Sequence, residues 1–148
     1  MTDEPLTVLV TRIHSDAVIP AYHSGDAAAF DLAAVADVTV LPGKVALVPT
    51  GLVIRVPLRM FLGVFARSST PLKRGLMVAN GVGVVDSDYC GPADEVKVQV
   101  LNITRERVDI RKGDRIAQGV ILAVARAEIE DAPPPQTKTR GGFGSTGN

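Results

Sequence analysis

Short apolar runs separated by turn signals dominate the chain. Val, Ile, Leu and Ala recur through Leu6–Ile13, Val38–Leu41, Lys44–Val48, Gly51–Val56, Met60–Ala66, Glu95–Asn102 and Val108–Ile110. Short β-branched runs bounded by Gly, Pro, Asn or Asp read as strands. Pro42-Gly43 and Arg111-Lys112-Gly113-Asp114 read as turns. Arg115–Ile129 is open to two readings. Its alanines permit a helix, whereas Gly119 and the alternation of Val and Ile favour strands, and the strand reading is preferred. No long segment has helical periodicity, and a turn or two of helix fits only near Thr70–Arg74. Many short strands with close turns predict an all-β sandwich or barrel. From Asp131 the pattern stops: Pro133-Pro134-Pro135 is followed by Gly141, Gly142, Gly144 and Gly147, with almost no aliphatic side chains. A β domain over 1–132 and a mobile C-terminal arm over 133–148 are expected.

Composition narrows this further. A chain of 148 residues can bury one real core. With 4% aromatic residues and no Trp, that core must be aliphatic. Lys+Arg and Asp+Glu both number 16, so the basic excess that adhesion to nucleic acid or an anionic membrane needs is missing. A local cluster could still hold a small polyanion. The single cysteine, Cys90, allows no internal disulfide. The opening MTDEPLTVLV has no basic leader or long apolar run, and no apolar stretch is long enough for a spanning helix. A soluble, cytoplasmic protein is expected.

Three glycine-rich polar stretches stand apart from the strands. They are Ala66-Arg67-Ser68-Ser69-Thr70, Asn80–Gly91 and Arg140–Gly147. Each joins unobstructed backbone donors to hydroxyls or a cation, which is the chemistry that holds phosphate oxygens. Taken singly each is commonplace: a Gly-Ser-Thr tail is usually linker, Arg-Ser-Ser a turn, and Asp-x-Asp-Tyr a solvated hairpin tip.

As an ordered set they resemble the five motifs of the trimeric dUTPase family. Ala28-Ala29-Phe30-Asp31-Leu32 is similar to the first, Arg67-Ser68-Ser69 to the second and Gly83-Val84-Val85-Asp86-Ser87-Asp88-Tyr89 to the third. Gly113-Asp114-Arg115-Ile116-Ala117-Gln118 is similar to the fourth and Gly142-Phe143-Gly144-Ser145-Thr146-Gly147 to the fifth. The resemblance spans roughly residues 6–147.

The resemblance implies a jelly-roll-like β domain, a homotrimer with active sites at subunit interfaces, and an arm that closes over a neighbour's site. It implies hydrolysis of dUTP to dUMP and pyrophosphate, limiting uracil in DNA and supplying dUMP for thymidylate synthesis. Asp86 would orient and deprotonate the attacking water. Mg²⁺ would sit on the triphosphate and keep several waters, with Asp31 touching its water shell rather than the ion. Tyr89 would pack on the deoxyribose and leave no room for a 2′-hydroxyl. Asn80 and the Gly83, Val84 and Val85 backbone would read uracil, with the Lys97 backbone as a further contact. Arg67, Ser68, Ser69 and Gln118 would hold phosphates. Phe143 would stack on uracil, and Gly144, Ser145 and Thr146 would cradle the terminal phosphates.

Departures from the family pattern are local. Cys90-Gly91-Pro92-Ala93-Asp94-Glu95 carries three extra residues after the tyrosine, and Cys90 replaces an arginine. No partner base accompanies that thiol, so it receives no catalytic role. Ala29 stands where glycine is common. Lys138 occupies the usual arginine position of the arm, with Arg140 closer to Phe143; Arg140 is the preferred phosphate cation. The nearest alternative is a dCTP deaminase, which shares the fold and the Arg-Ser-Ser motif. Its catalytic glutamate would fall at Gln99, which cannot act as that base. A non-catalytic nucleotide-binding relative is the other alternative, against which Asp86 speaks.

Overall fold

The computed structural model describes residues 6–144. Among them run, in chain order, β1 (Leu9–Arg12), β2 (Phe30–Ala33), β3 (Val38–Val40), β4 (Val45–Pro49), β5 (Leu52–Arg55) and β6 (Met60–Phe65). Then follow α1 (Ser69–Arg74), β7 (Leu76–Val78), β8 (Gly83–Val85), β9 (Lys97–Asn102), β10 (Val108–Ile110) and β11 (Arg115–Ala123). A four-stranded sheet has the order β2-β11-β6-β8, and a three-stranded sheet the order β4-β9-β7. Two further pairs, β1 with β5 and β3 with β10, complete an antiparallel, jelly-roll-like all-β domain. No helix of the described residues is long and apolar enough to cross a membrane.

The core is aliphatic, as the composition requires. Leu32, Leu62 and Ile116 from the first sheet meet Val48, Val98, Val100 and Leu76 from the second, all fully buried. Leu52, Ile54, Val40 and Ile110 join the same buried cluster. Strand β9 shows the two-residue period behind this: Val98, Val100 and Asn102 point inward while Lys97 and Gln99 face out. Asn102 is the polar exception in the core. Its amide donates to the Val40 carbonyl at 2.8 Å and the Glu106 carbonyl at 2.7 Å, and its oxygen accepts from the Thr104 N–H and hydroxyl at 2.8 Å. Burial is tolerated because those bonds are made.

The first sheet leaves no slack beneath the candidate site. A Cβ on Gly119 would lie 2.5 Å from Phe30 Cε2 and 2.9 Å from Leu62 Cδ1, so β11 approaches β2 and β6 as only glycine allows. The Arg111–Asp114 turn is stapled down in turn. Lys112 donates from its backbone to Asp37 at 2.8 Å and from Nζ to Asp16 at 3.0 Å, and Arg74 donates to Asp114 at 2.8 Å.

The expected strands form, with shorter limits. β1 spans Leu9–Arg12, and β11 ends at Ala123, where the pairing with β6 runs out. The last backbone bond joining that segment to the domain is Val124 N–H to the Arg59 carbonyl at 2.8 Å. The described residues beyond it are exposed. The helix falls at Ser69–Arg74, stopped by Gly75 in the left-handed conformation with φ 64°. Strands β2, β7 and β8 were absent from the sequence expectation. Each is short, and β2 and β8 lie inside motifs whose polar residues hide the alternation.

Candidate active site

The four-stranded sheet gathers three motifs into one row. In register, Gln118 on β11 faces Asp31 on β2 on one side and Phe65 on β6 on the other. Two residues beyond Phe65 stands Arg67, whose Nε donates to Asp31 Oδ1 at 2.7 Å. Arg115 reaches Asp31 Oδ2 at 3.1 Å, and His23 Nε2 lies 3.0 Å from the same oxygen. A β-bulge explains Arg115. Three residues separate it from Gln118, which in a regular strand would place the two on opposite faces. The register slips between Arg115 and Ala117, leaving Ile116 as the extra residue and returning Arg115 to the face of Asp31. Gln118 Nε2 donates to the Ala66 carbonyl at 3.0 Å, and the Arg67 N–H donates to Thr70 Oγ1 at 3.0 Å, so the Arg67–Thr70 turn is held from both ends. Ser68 is exposed and Ser69 half-buried on that turn, both free to meet an anion.

The result is a concentrated basic cluster around one shielded carboxylate. The Asp31 side chain is 14% exposed and that of Arg67 23%. Both Asp31 oxygens already meet cations. Among the described residues no three His, Cys, Asp or Glu side chains converge. A hard cation here would therefore take most of its ligands from phosphate oxygens and water, which Mg²⁺ tolerates.

A second group forms around the β8 hairpin. Gly81 turns the chain with φ 72°, and Gly83 pairs with Val64 so closely that a Cβ would lie 3.0 Å from the Val64 side chain. Behind this hairpin is a cavity of about 450 Å³. Its lining includes Asn80, Gly83, Val84, Val85, Asp86, Tyr89 and Lys97, all seven expected from the sequence. Its size suits a nucleoside. The Tyr89 hydroxyl donates to the Glu95 carbonyl at 3.2 Å. Gln99 also lines it, at the position a deaminase would fill with glutamate. Asp86 stands at the rim, since it also borders a larger open trough of about 1040 Å³ beside Arg59 and Arg126. Among the described residues no cation pairs with the Asp86 carboxylate.

No side-chain hydrogen bond or ion pair among the described residues joins the Asp31 cluster to this cavity, and the two stand as separate half-sites. The described residues of the arm are exposed and meet neither. Arg140, Phe143 and Gly144 are exposed, and Phe143 is in contact with nothing that shields it. Ser145 and Thr146 lie outside the described residues. His23, Arg115 and Glu95 were missed as site residues. Arg115 lay inside a recognised motif but the bulge concealed its face; His23 and Glu95 sit in loops, where spacing carries no facing information.

Comparison with known proteins decides the family. A family model described as dUTPase matches residues 15–147. The chain belongs to the dUTPase family. A deoxyuridine 5'-triphosphate nucleotidohydrolase of Wolinella succinogenes is 42% identical over 144 residues, spanning 96% of this chain and 95% of the relative. The crystal structure of a dUTPase from Streptococcus mutans superposes with a TM-score of 0.74 at 30% identity, covering 80% of this chain and 98% of that one. A dUTPase of Staphylococcus bacteriophage 80alpha, in complex with dUpNHpp, shares the fold with a TM-score of 0.82 at 20% identity, covering 95% and 98%.

Proposed function

We propose that this dUTPase-family chain hydrolyses dUTP to dUMP and pyrophosphate, with Mg²⁺ bound to the triphosphate. One observation carries the reading: a nucleoside-sized cavity walled by the Asn80–Val85 hairpin and Tyr89, with the unpaired Asp86 carboxylate at its rim. Uracil enters against the hairpin backbone and Asn80, whose fixed donors and acceptors match its edge and reject the amino group of cytosine. The Lys97 backbone adds a contact from β9. Tyr89 covers the sugar. Asp86 then lies where a water attacking the α-phosphorus needs a base, and accepts its proton. Arg67, Ser68, Ser69 and Gln118 hold the phosphate oxygens. Asp31 fixes the arginines and would face the water shell of a Mg²⁺ on the triphosphate, which would supply neutralisation of phosphate charge.

The two half-sites support a homotrimer in which one subunit's cavity faces a neighbour's Arg67 cluster. The exposed arm supports closure over a further subunit's site: Phe143 stacks on the base, and Arg140, Gly144, Ser145 and Thr146 meet the terminal phosphates. Residues 1–132 form the catalytic domain and 133–148 the arm. The free thiol of Cys90 suits a reducing cytoplasm.

A panel of dUTP, dCTP, dTTP and UTP with Mg²⁺ tests this. Pyrophosphate release is expected from dUTP alone. Ammonia release from dCTP would establish deamination instead, and tight dUTP binding without turnover would make the chain a nucleotide-binding relative.

A further inference from the structure

We infer that Glu95 is a positioning residue for sugar discrimination, acting through Tyr89; this rests on reading the cavity as the dUTP site. Tyr89 is tied at both ends. Its N–H donates to the Asp86 carbonyl at 3.1 Å, and its hydroxyl to the Glu95 carbonyl at 3.2 Å. Tyr89 is nevertheless 43% exposed, so packing alone does not hold its ring. A ring that excludes a 2′-hydroxyl must be kept from swinging aside, and the hydroxyl bond is the far tether.

That tether is as firm as its acceptor, and Glu95 makes the acceptor firm. Its Oε1 accepts from the Gly51 N–H at 2.8 Å, and Oε2 lies 3.6 Å from Lys97 Nζ. The Glu95 side chain is 17% exposed. Gly51 is itself closely packed, with φ 68° and space for a Cβ denied by His14 at 2.9 Å and Ala17 at 3.0 Å. The next residue is clamped to the same corner. The Val96 N–H donates to the Leu52 carbonyl at 2.8 Å, and Thr50 Oγ1 donates to the Val96 carbonyl at 2.6 Å.

The three extra residues fit this device. Gly91 N–H donates to Asp94 Oδ2 at 2.7 Å, Asp94 N–H to the Gly91 carbonyl at 3.1 Å, and Glu95 N–H to the Ala93 carbonyl at 2.9 Å. The inserted turn is thus closed on itself, and Ala93 joins Tyr89 and Glu95 along the cavity. Its bonds are internal, so the turn is fastened to the Thr50–Leu52 corner by the Glu95 carboxylate together with the Val96 backbone.

Kinetics with dUTP and UTP on the full chain test the assignment, comparing wild type, Glu95→Ala, Glu95→Gln, Tyr89→Phe and the Tyr89→Phe/Glu95→Ala pair. In Glu95→Ala the UTP-to-dUTP ratio of kcat/KM rises about tenfold, the scale of a lost hydrogen bond to a charged group. Glu95→Gln keeps an acceptor for the Gly51 N–H and holds the ratio within about twofold of wild type. In the pair, Glu95→Ala adds less than it does alone, because both changes free one ring. An unchanged ratio in folded Glu95→Ala, or full multiplication in the pair, overturns the inference. If Glu95→Ala does not fold, Tyr89→Phe decides, and an unchanged ratio there overturns it too. A wild-type chain that fails to hydrolyse dUTP refutes the proposed function instead; the same comparison is then read from dUTP and UTP dissociation constants.

Discussion

Replacing Asp31 with alanine removes the anion that Arg67, Arg115 and His23 share. The Arg67 bond, at 2.7 Å between groups 23% and 14% exposed, is well shielded. A charged hydrogen bond of this kind contributes about 1.5–3 kcal/mol. The Arg115 side chain is 52% exposed, so its 3.1 Å pair is discounted to about 0.2–1 kcal/mol. Some 2–4 kcal/mol of order in the cluster is therefore lost, roughly. Bound phosphates recover part of it by replacing the carboxylate as the arginines' anion. A net weakening of about 1.4 kcal/mol corresponds to a tenfold rise in KM, with kcat changing less. Asp31→Asn retains an acceptor and should fall between. Pyrophosphate release, measured against dUTP at several Mg²⁺ concentrations, reads the effect. An unchanged or lower KM at saturating Mg²⁺ would refute the role of Asp31 as holder of the arginines. A shift confined to the Mg²⁺ dependence would assign it to the metal's water shell alone.

Asp86→Asn should bind dUTP normally and turn over about 10²–10⁴-fold more slowly, the contribution of a positioned base; equilibrium binding with single-turnover kinetics checks both halves. Deleting 136–148 should leave the domain and its assembly intact by light scattering while nearly abolishing hydrolysis, because the described residues of the arm are all exposed and the deletion removes Phe143 and Arg140. Acid should weaken the fold through three carboxyls. The Arg74 hydrogen bond holds Asp114 below the ordinary 3.8, the Lys112 ammonium does so for Asp16, and the Lys112 N–H does so for Asp37. Since each folded value is depressed, the stabilisation is present above the unfolded value and is lost as pH falls through the folded one. Urea unfolding at fixed protein concentration should therefore show stability dropping below about pH 4, with a shallower drop in Arg74→Ala.

Much of this was legible in the sequence because the two-residue alternation survives wherever a strand has one buried face. Val98 and Val100 alternating with Lys97 and Gln99 declare their sheet without help. The alternation fails at β11, where Ile116 and Ala117 are consecutive and both buried. That doubling is the bulge, whereas the ambiguity of Arg115–Ile129 between helix and strand came from its alanines. The cavity residues followed from motif order, since Asn80 to Tyr89 are near neighbours in the chain. Glu95 and His23 could not be found that way. Their roles depend on where Gly51 and Asp31 lie in space, across loops whose course no local pattern encodes.

The contact of Gly119 with Phe30 sets a different kind of constraint from the charges above it. Gln118 and Asp31 are the immediate neighbours of those two residues and pair directly across the strands, so their separation is set by close backbone packing. Steric contact does not respond to ionic strength, whereas the exposed pairs of Arg115 and His23 are screened as salt rises. The site thus has a salt-insensitive floor beneath a salt-sensitive rim. Raising ionic strength should loosen the grip on phosphate while leaving the spacing of the groups that grip it unaltered.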